Sequence, residues 1–267
     1  MNADQPPMSK PKIFHELHHR DEPLVLPNAW DFGSAAALAA EGFPAIGTTS
    51  LGVAVAAGLP DGTGVARDET LTVATRLARL AVPVTVDIEG GFSDDPGEVA
   101  DYVARLADLG IAGVNLEDGR SGSTLAEPGH QAELIGAIKA RIPELFVNAR
   151  VDTYWLKLHQ DSTLSRVGRY TEAGADGIFV PGMTDPVDIA GLVAATALPV
   201  NILYAAHGPS IAALAELGVR RISTGSLLYR TALAAIVDAA RAVRDDGPFT
   251  IEVPTYREVQ TITASDT

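Results

Sequence analysis

Val82-Pro83-Val84-Thr85-Val86-Asp87-Ile88-Glu89, Ile111-Ala112-Gly113-Val114-Asn115-Leu116-Glu117 and Leu145-Phe146-Val147-Asn148-Ala149-Arg150-Val151 share one pattern. Each is a short aliphatic run that turns polar near its end. Runs this apolar on both faces read as strands covered on both sides, the habit of parallel sheets. Between them lie helical patterns. Val99, Val103, Leu106 and Ala107 recur at helical spacing after Pro96, and Gln131–Arg141 reads as the next helix. Strand, helix, strand, helix, strand in that order calls for parallel pairing.

Working outward, the same rhythm continues in both directions. Upstream, Leu24–Leu26 and Ala45–Thr49 read as strands, with a helix over Ser34–Glu41 between them, capped by Ser34 and closed by Gly42. A long Gly-rich loop, Gly52–Gly64, follows, then a helix from Asp68 to Leu80 with Leu71, Ala74, Leu77 and Ala78 on one face. Downstream, Gly177–Val180, Pro199–Tyr204 and Val219–Ser223 are strands. Helices fit within Ser162–Ala173 and over Pro186–Thr196, Ser210–Leu217 and Ser226–Val243. Eight strands alternating with eight helices predict an α/β chain folded as a (β/α)8 TIM-type barrel. A doubly wound sheet is the alternative, but its Gly-x-Gly-x-x-Gly fingerprint after the first strand is absent. Residues 1–12 (MNADQPPMSKPK) read as a polar, proline-rich tail, 13–245 as the barrel and 246–267 as a C-terminal extension with one short helix after Pro254.

Composition narrows the function. The chain has 267 residues, with 46% hydrophobic and 6% aromatic, enough for one large core. Its formal net charge of −14 disfavours phosphate backbones and anionic lipid, so neither nucleic acid nor membrane is expected as a partner. A small anionic substrate is not disfavoured, because a site can be locally positive. There is no cysteine, which excludes disulfides, thiolate metal sites and cysteine nucleophiles. No apolar stretch has signal-peptide or membrane-spanning length, so the expectation is a soluble, cytoplasmic protein.

A barrel works at the C-terminal ends of its strands. Read in order, those ends carry Asn28, Trp30 and Asp31; Thr48, Thr49 and Ser50; Asp87 and Glu89; Asn115, Glu117 and Asp118; Asn148, Arg150 and Asp152; and Asn201. The opposite ends are mostly Pro, Gly, Ala and aliphatic. Asp87 and Glu89, two apart, would share one face of a strand, with Glu117 approaching from the next. Carboxylates so gathered call for a cation, and an oxygen-only set favours Mg2+, with Mn2+ as an alternative. The other reading is that they are ordinary strand-end carboxylates. Arg150 is placed to grip a substrate carboxylate bidentately, or to form an ion pair with Asp152 or Glu117. Ser223-Thr224-Gly225-Ser226 reads more readily as a capped tight turn than as a phosphate cradle. His15, His18 and His19 read as a solvated helix face.

The ordered set LPNAWD (26–31), TTSLGVAVAAGLPDG (48–62), VDIEGGF (86–92), GVNLEDG (113–119), VNARVDTYW (147–155), AGADGIFVPG (173–182) and RISTGSLLYR (221–230) resembles the isocitrate lyase / phosphoenolpyruvate mutase superfamily, from about Phe14 to Arg244. The resemblance implies a Mg2+-dependent barrel that stabilises the enolate form of a small 2-oxo acid. It implies Asp87 as direct metal ligand, with Glu89 and Glu117 holding the metal through water and Asp61 as a further acid nearby. Thr49, Ser50 and Leu51 would bind the substrate carboxylate, Trp30 would wall the pocket, Asn201 would line it from strand seven, and Arg150 would contact substrate oxygens. It also implies a homo-oligomer, dimer or tetramer, with a helix after the eighth strand exchanged between subunits.

The chain departs from the superfamily at one place. Its C–C lyases carry Lys-x-Cys-Gly-His after strand four, and its phosphonomutases keep a Lys and an Asn there. Here the segment reads GRSGSTLAEPGHQ (119–131). Cleavage of isocitrate or methylisocitrate is therefore not expected. The options that remain are C–C cleavage with another acid, decarboxylation of a small oxo-diacid, P–C bond chemistry, or a catalytically silent metabolite-binding barrel. Arg120, Ser121, Ser123 and His130 are the loop's candidates for a replacement acid or base.

Overall fold

The aliphatic runs become strands whose side chains are buried almost without exception. β1 (Leu24–Leu26), β2 (Asn28–Ala29), β3 (Ile46–Thr48), β4 (Val84–Asp87), β5 (Gly113–Glu117), β8 (Phe146–Arg150), β9 (Gly177–Phe179), β10 (Val200–Leu203) and β11 (Arg221–Ser223) form one parallel sheet. Its order is β1-β11-β10-β9-β8-β5-β4-β3-β2. Only Pro27 separates β1 from β2, so the sheet closes on itself and the nine pieces are eight staves of a TIM-type barrel. Proline has no N–H to give. Its carbonyl still serves the ring, accepting from Gly47 N at 2.9 Å. The computed structural model describes residues 8–249 and 252–262.

Helices alternate with the staves and cover the outside: α1 (Lys10–Leu17), α2 (Phe32–Ala40), α3 (Ser50–Ala56), α4 (Arg67–Leu77), α5 (Pro96–Asp108), α6 (Pro128–Arg141), α7 (Thr163–Glu172), α8 (Pro186–Ala195), α9 (Ile211–Glu216), α10 (Leu227–Arg244) and α11 (Tyr256–Thr261). Their starts follow sequence chemistry. Asp31, Asp95, Asp185, Ser210 and Thr255 each accept from a backbone N–H of the first turn. Among the described residues no helix is long and apolar enough to cross a membrane.

Several local readings change, the first being that Asp31 rather than Ser34 caps α2. The stretch expected as the start of a Gly-rich loop is α3, because Gly52 acts in packing. A Cβ there would lie 2.8 Å from both Trp30 Cβ and Thr49 Cγ2. The N-terminal helix begins at Lys10, inside the stretch expected to be tail; residues 1–7 lie outside the described ones. Lys10 Nζ ties that helix down, donating to Ala78 O at 2.8 Å and Leu80 O at 2.5 Å.

The same helix corrects the histidine reading. α1 closes the N-terminal end of the barrel with Phe14 and Leu17, packed on Leu24, Leu26, Ala45, Ala112 and Phe146. His18 is buried there rather than solvated. Its ring stacks on Phe146 at 4.2 Å, Nδ1 bonds Phe14 O at 2.7 Å, and Nε2 has no partner among the described residues. Burial pushes this imidazole down to about 3, with the Arg221 charge acting the same way, so it is neutral.

Above the plug the interior is polar. Asn148 Nδ2 donates to Asn115 Oδ1 at 2.9 Å, and Arg221 Nη2 reaches the same oxygen at 3.2 Å. Arg221 Nε donates to Ser223 Oγ, which exchanges hydrogen bonds with Asn201. This ladder ties β5, β8, β10 and β11 together beneath the open end.

Candidate active site

Three staves end in the residues that matter most. Asp87 closes β4, and its N–H donates to Thr48 Oγ1 at 2.8 Å, pinning the end of β3 to the end of β4. Glu117 closes β5 and Arg150 closes β8. The two staves pair Glu117 with Arg150 in register, so both side chains leave the same face. Arg150 Nη1 meets Glu117 Oε2 at 2.5 Å, and Arg150 Nε donates to Asp152 Oδ1 at 2.7 Å. The guanidinium is thus held between two carboxylates, which fixes its plane.

Asp152 is fixed in turn. Its N–H donates to Asp118 Oδ1 at 2.8 Å, while Asp118 Oδ2 accepts from Arg166 Nη1 at 2.9 Å and Tyr170 OH at 2.7 Å. Gly119 is required beside this network, since a Cβ would overlap Asp152 Oδ2. Arg166 and Tyr170 belong to α7, so an outer helix anchors the group that orients Arg150. Both readings of Arg150 hold together: it is ion-paired with Glu117 and Asp152, and it lines the cavity.

That cavity holds about 280 Å³ at the C-terminal ends of the staves. Asp87, Asn115, Glu117 and Arg150 contribute to it from the β4–β8 staves, and Thr49, Ser50 and Leu51 from the start of α3. Trp155, Leu156, Phe179, Pro181 and Leu203 supply an apolar sector. Burial raises Asp87 above the ordinary carboxylate range, against the pull of Arg150. Burial does the same to Glu117, again opposed by Arg150. Burial alone would lower Arg150, but Glu117, Asp152 and Asp87 reverse that and keep it charged.

The family model described as phosphoenolpyruvate phosphomutase matches residues 14–244. The chain belongs to the phosphoenolpyruvate phosphomutase family. It thereby falls within the wider superfamily that its motifs resemble. An uncharacterized protein of Mycobacterium tuberculosis is 52% identical over 249 residues, covering 92% of this chain and 94% of that protein. The phosphoenolpyruvate phosphomutase of Streptomyces hygroscopicus is 32% identical, covering 86% of this chain and 79% of its own length. An oxaloacetate decarboxylase of Ectopseudomonas mendocina is 31% identical, covering 72% and 69%. Among solved structures, a Burkholderia cenocepacia protein described as a phosphonomutase superposes with a TM-score of 0.81 at 38% identity, covering 87% of this chain and 99% of that one.

Seven of the ten site residues singled out from sequence line the family cavity: Thr49, Ser50, Leu51, Asp61, Asp87, Glu117 and Arg150. Three do not. Trp30 packs edge-on against Tyr229 at 5.1 Å, and Asn201 lies buried among the interior amides, bonded to Ser223. Glu89 departs for a backbone reason. β4 ends at Asp87, and Glu89 takes a φ of 50°, so the rule that puts residues two apart on one face stops applying. Its carboxylate turns into an adjoining cavity, where Gly64 N donates to Oε2 at 2.8 Å and Oε1 has no partner among the described residues. Burial pushes it up to about 7, the Gly64 hydrogen bond opposing. Among the described residues no three His, Asp or Glu side chains close on one point as a metal shell.

The donor set nonetheless fits the Mg2+ that the family resemblance implies. Mg2+ needs only one or two protein carboxylates, its other positions going to water and substrate. Asp61, Asp87, Glu117 and Asp152 line the cavity against two guanidiniums, Arg120 and Arg150. Asp87 and Asp152 are buried and Glu117 nearly so, with Asp61 exposed at the edge, and a hard cation would offset the excess of carboxylates over guanidiniums.

The loop candidates resolve against acid–base work. Residues 119–125 form a hairpin, β6 (Gly119–Arg120) against β7 (Thr124–Leu125). Arg120 is committed to Glu117 O, Gly119 O and Gln131 Oε1, at 2.7, 2.9 and 2.9 Å. His130 lines neither cavity and faces Asp94 and Glu133. Ser121 lines the adjoining cavity alone, and Ser123 sits at the hairpin tip with φ 56°. The Thr224 and Gly225 amides donate to Asn28 Oδ1 at 3.0 and 2.9 Å, so that segment is a tight turn and not a free phosphate cradle. Sequence reading missed the apolar sector. Its signal was register: Phe179 pairs with Arg150 in the sheet and therefore faces the same way.

Proposed function

We propose that this protein is a Mg2+-dependent lyase that forms a 2-oxo acid by way of an enolate, through C–C cleavage or decarboxylation of a small carboxylate substrate. The observation that carries the reading is Arg150, held between Glu117 and Asp152 at the cavity floor beside Asp87. Asp87 would hold the metal directly and Glu117 and Glu89 through water, with Asp61 a further acid nearby. When bound, Mg2+ supplies positive charge to the carboxylate and keto oxygens of a 2-oxo acid.

The chain's own residues do the rest. Breaking the bond beyond C3 sends its electron pair toward the keto oxygen. Arg150, pre-aimed by two carboxylates, stabilises the charge where it develops and needs no reorganisation. The hydroxyls of Thr49 and Ser50 bind the substrate carboxylate, joined by N–H groups of the first turn of α3, which have no intrahelical acceptors. Among the described residues lining the cavity there is no His, Lys, Tyr or Cys to serve the leaving fragment as general acid or base, a function worth about 10²- to 10⁴-fold in rate. Decarboxylation does not need one: CO2 departs without a proton, and C3 takes its proton from water.

The oxaloacetate decarboxylase among the relatives supports this choice. The 32% identical phosphomutase supports P–C chemistry as a second reading. We also infer a cytoplasmic dimer or tetramer, supported by exposed Leu233, Ile236, Val237 and Val243 along α10. Purified protein with Mg2+ is expected to release pyruvate from oxaloacetate faster than it turns over isocitrate, methylisocitrate or phosphonopyruvate. Efficient glyoxylate release from isocitrate, with oxaloacetate no faster than free Mg2+ gives, overturns the reading.

A further inference from the structure

Around the barrel mouth the lining residues divide by stave. The β3–β5 side carries Asp61, Asp87 and Glu117, while the segment after β8 carries Trp155 and the neighbouring β9 and β10 end in Phe179 and Leu203. The two sectors meet at Arg150, whose guanidinium carbon lies 5.8 Å from the Phe179 ring centroid and 6.0 Å from that of Trp155. Leu203 is held against its neighbour closely enough that a Cβ on Gly225 would come within 2.7 Å of Cδ1. Trp155 remains 53% exposed at the rim, a large aromatic surface facing the opening.

Charge sharpens the division. Among the described residues lining the cavity, the cationic side chains are Arg120 and Arg150. Arg120 is taken up by two carbonyls and Gln131, and Arg150 by two carboxylates. Neither stands in the apolar sector to receive a second, permanent carboxylate at the far end of a substrate. A charged tail placed there would be desolvated without a counter-ion, whereas an alkyl or aryl tail would gain burial. A carboxylate that leaves as CO2 is a different case, because its charge disappears in the transition state.

We propose that the substrate carries an uncharged apolar substituent, an alkyl or aryl group on C3 or C4, which packs on Trp155, Phe179 and Leu203. This rests on the 2-oxo acid reading above and names the substrate class within it: branched or chain-extended 2-oxo acids, and their 3-carboxylated precursors, in preference to oxo-diacids with a retained second carboxylate. The wall begins at Arg150, so it meets atoms one or two bonds beyond the keto carbon.

The test separates head from tail. Binding is measured by calorimetry with Mg2+ present, using oxalate (head only), 2-oxohexanoate (apolar tail) and 2-oxoglutarate (charged tail). Affinity is expected to rise along 2-oxobutanoate, 2-oxopentanoate and 2-oxohexanoate, by up to about fourfold per methylene. 2-Oxohexanoate should exceed 2-oxoglutarate by about tenfold or more on the same scale. Leu203→Asn should abolish that preference, so that the ratio of 2-oxohexanoate to oxalate affinity falls by about tenfold relative to the wild type. In a Trp30→Phe chain, Trp155 is the sole tryptophan, and 2-oxohexanoate should shift its emission where oxalate does not. Oxalate binding with equal affinities for 2-oxohexanoate and 2-oxoglutarate overturns the wall and leaves the head site standing. Failure of oxalate to bind overturns both.

Discussion

At the closed end of the barrel His18 is stacked on Phe146 with one ring nitrogen unpaired, and burial is met by giving up the charge. At the open end Asp87 and Asp152 are buried and Glu117 and Arg150 nearly so, yet Arg150 is kept charged and locked into ion pairs. The two ends sit in one barrel and differ in what each excludes. The α1 plug excludes water and charge together, as a structural core does. The mouth gathers buried carboxylates in excess of cations, an arrangement that burial disfavours until a cation and an anionic substrate complete it. Such perturbed groups in a cleft mark function, while the perturbed histidine below marks packing.

The strongest way to break this contrast is at Arg150. Arg150→Ala is expected to lower kcat/KM on oxaloacetate by about 10²- to 10³-fold, the loss typical of one transition-state donor. His130→Ala should stay within about twofold, as for a surface residue away from the site. Steady-state kinetics on both variants decide it; equal losses would place the catalytic group in the loop after all.

The next effect concerns the metal. Asp87→Ala should weaken Mn2+ binding by about tenfold or more, because a direct carboxylate ligand is lost while Asp61 and Glu117 remain. A Mn2+ titration showing equal affinity for wild type and variant would remove Asp87 from the metal site.

The closed end gives a smaller and differently signed effect. His18 takes up a proton at about 3 when folded, against an ordinary 6.5, so the unfolded chain binds the proton first as pH falls. Its contribution to stability is complete above about 6.5 and declines toward 3, by at most about 1.4 kcal/mol per pH unit. Urea unfolding of wild type and His18→Phe at pH 7 and pH 5 isolates this term, since the carboxylates are common to both chains. The variant should lose less stability on acidification, and an equal loss in both would mean that His18 is not held neutral.

Far from both ends, Ile236→Glu on α10 should reduce assembly and leave each protomer folded. Ile236 is 63% exposed, and its neighbours Leu233 and Val237 are exposed with it. Light scattering at micromolar concentration reads the change; a wild-type monomer would end the oligomer proposal.

The staves were legible because strands covered on both faces must be aliphatic, and their polar ends then stand out. Asp87, Glu117 and Arg150 were found that way, each the last residue of its stave. Glu89 does not share the face of Asp87, because spacing says nothing about where a strand stops and one left-handed residue redirects its side chain. Trp30 and Asn201 were placed in the pocket by family likeness, which transfers a position more readily than a side chain's direction. The apolar sector was invisible for the opposite reason. Phe179 looks like any core residue until its register with Arg150 shows that it faces the mouth, where Leu203 and Trp155 join it.

Pro27 divides the first stave so that β1 serves β11 while β2 serves β3. Asn28 N donates to Thr224 Oγ1 across 196 residues, so the seam of the barrel joins its first stave to its last. On the ribosome β2 can find its partner early, but β1 must wait until β11 has emerged. For most of synthesis the growing sheet therefore carries an unpaired edge, and the contact that removes it has the longest loop to close. The window in which this chain is most exposed to a chaperone, or to another copy of itself, ends only when its eighth stave leaves the exit tunnel.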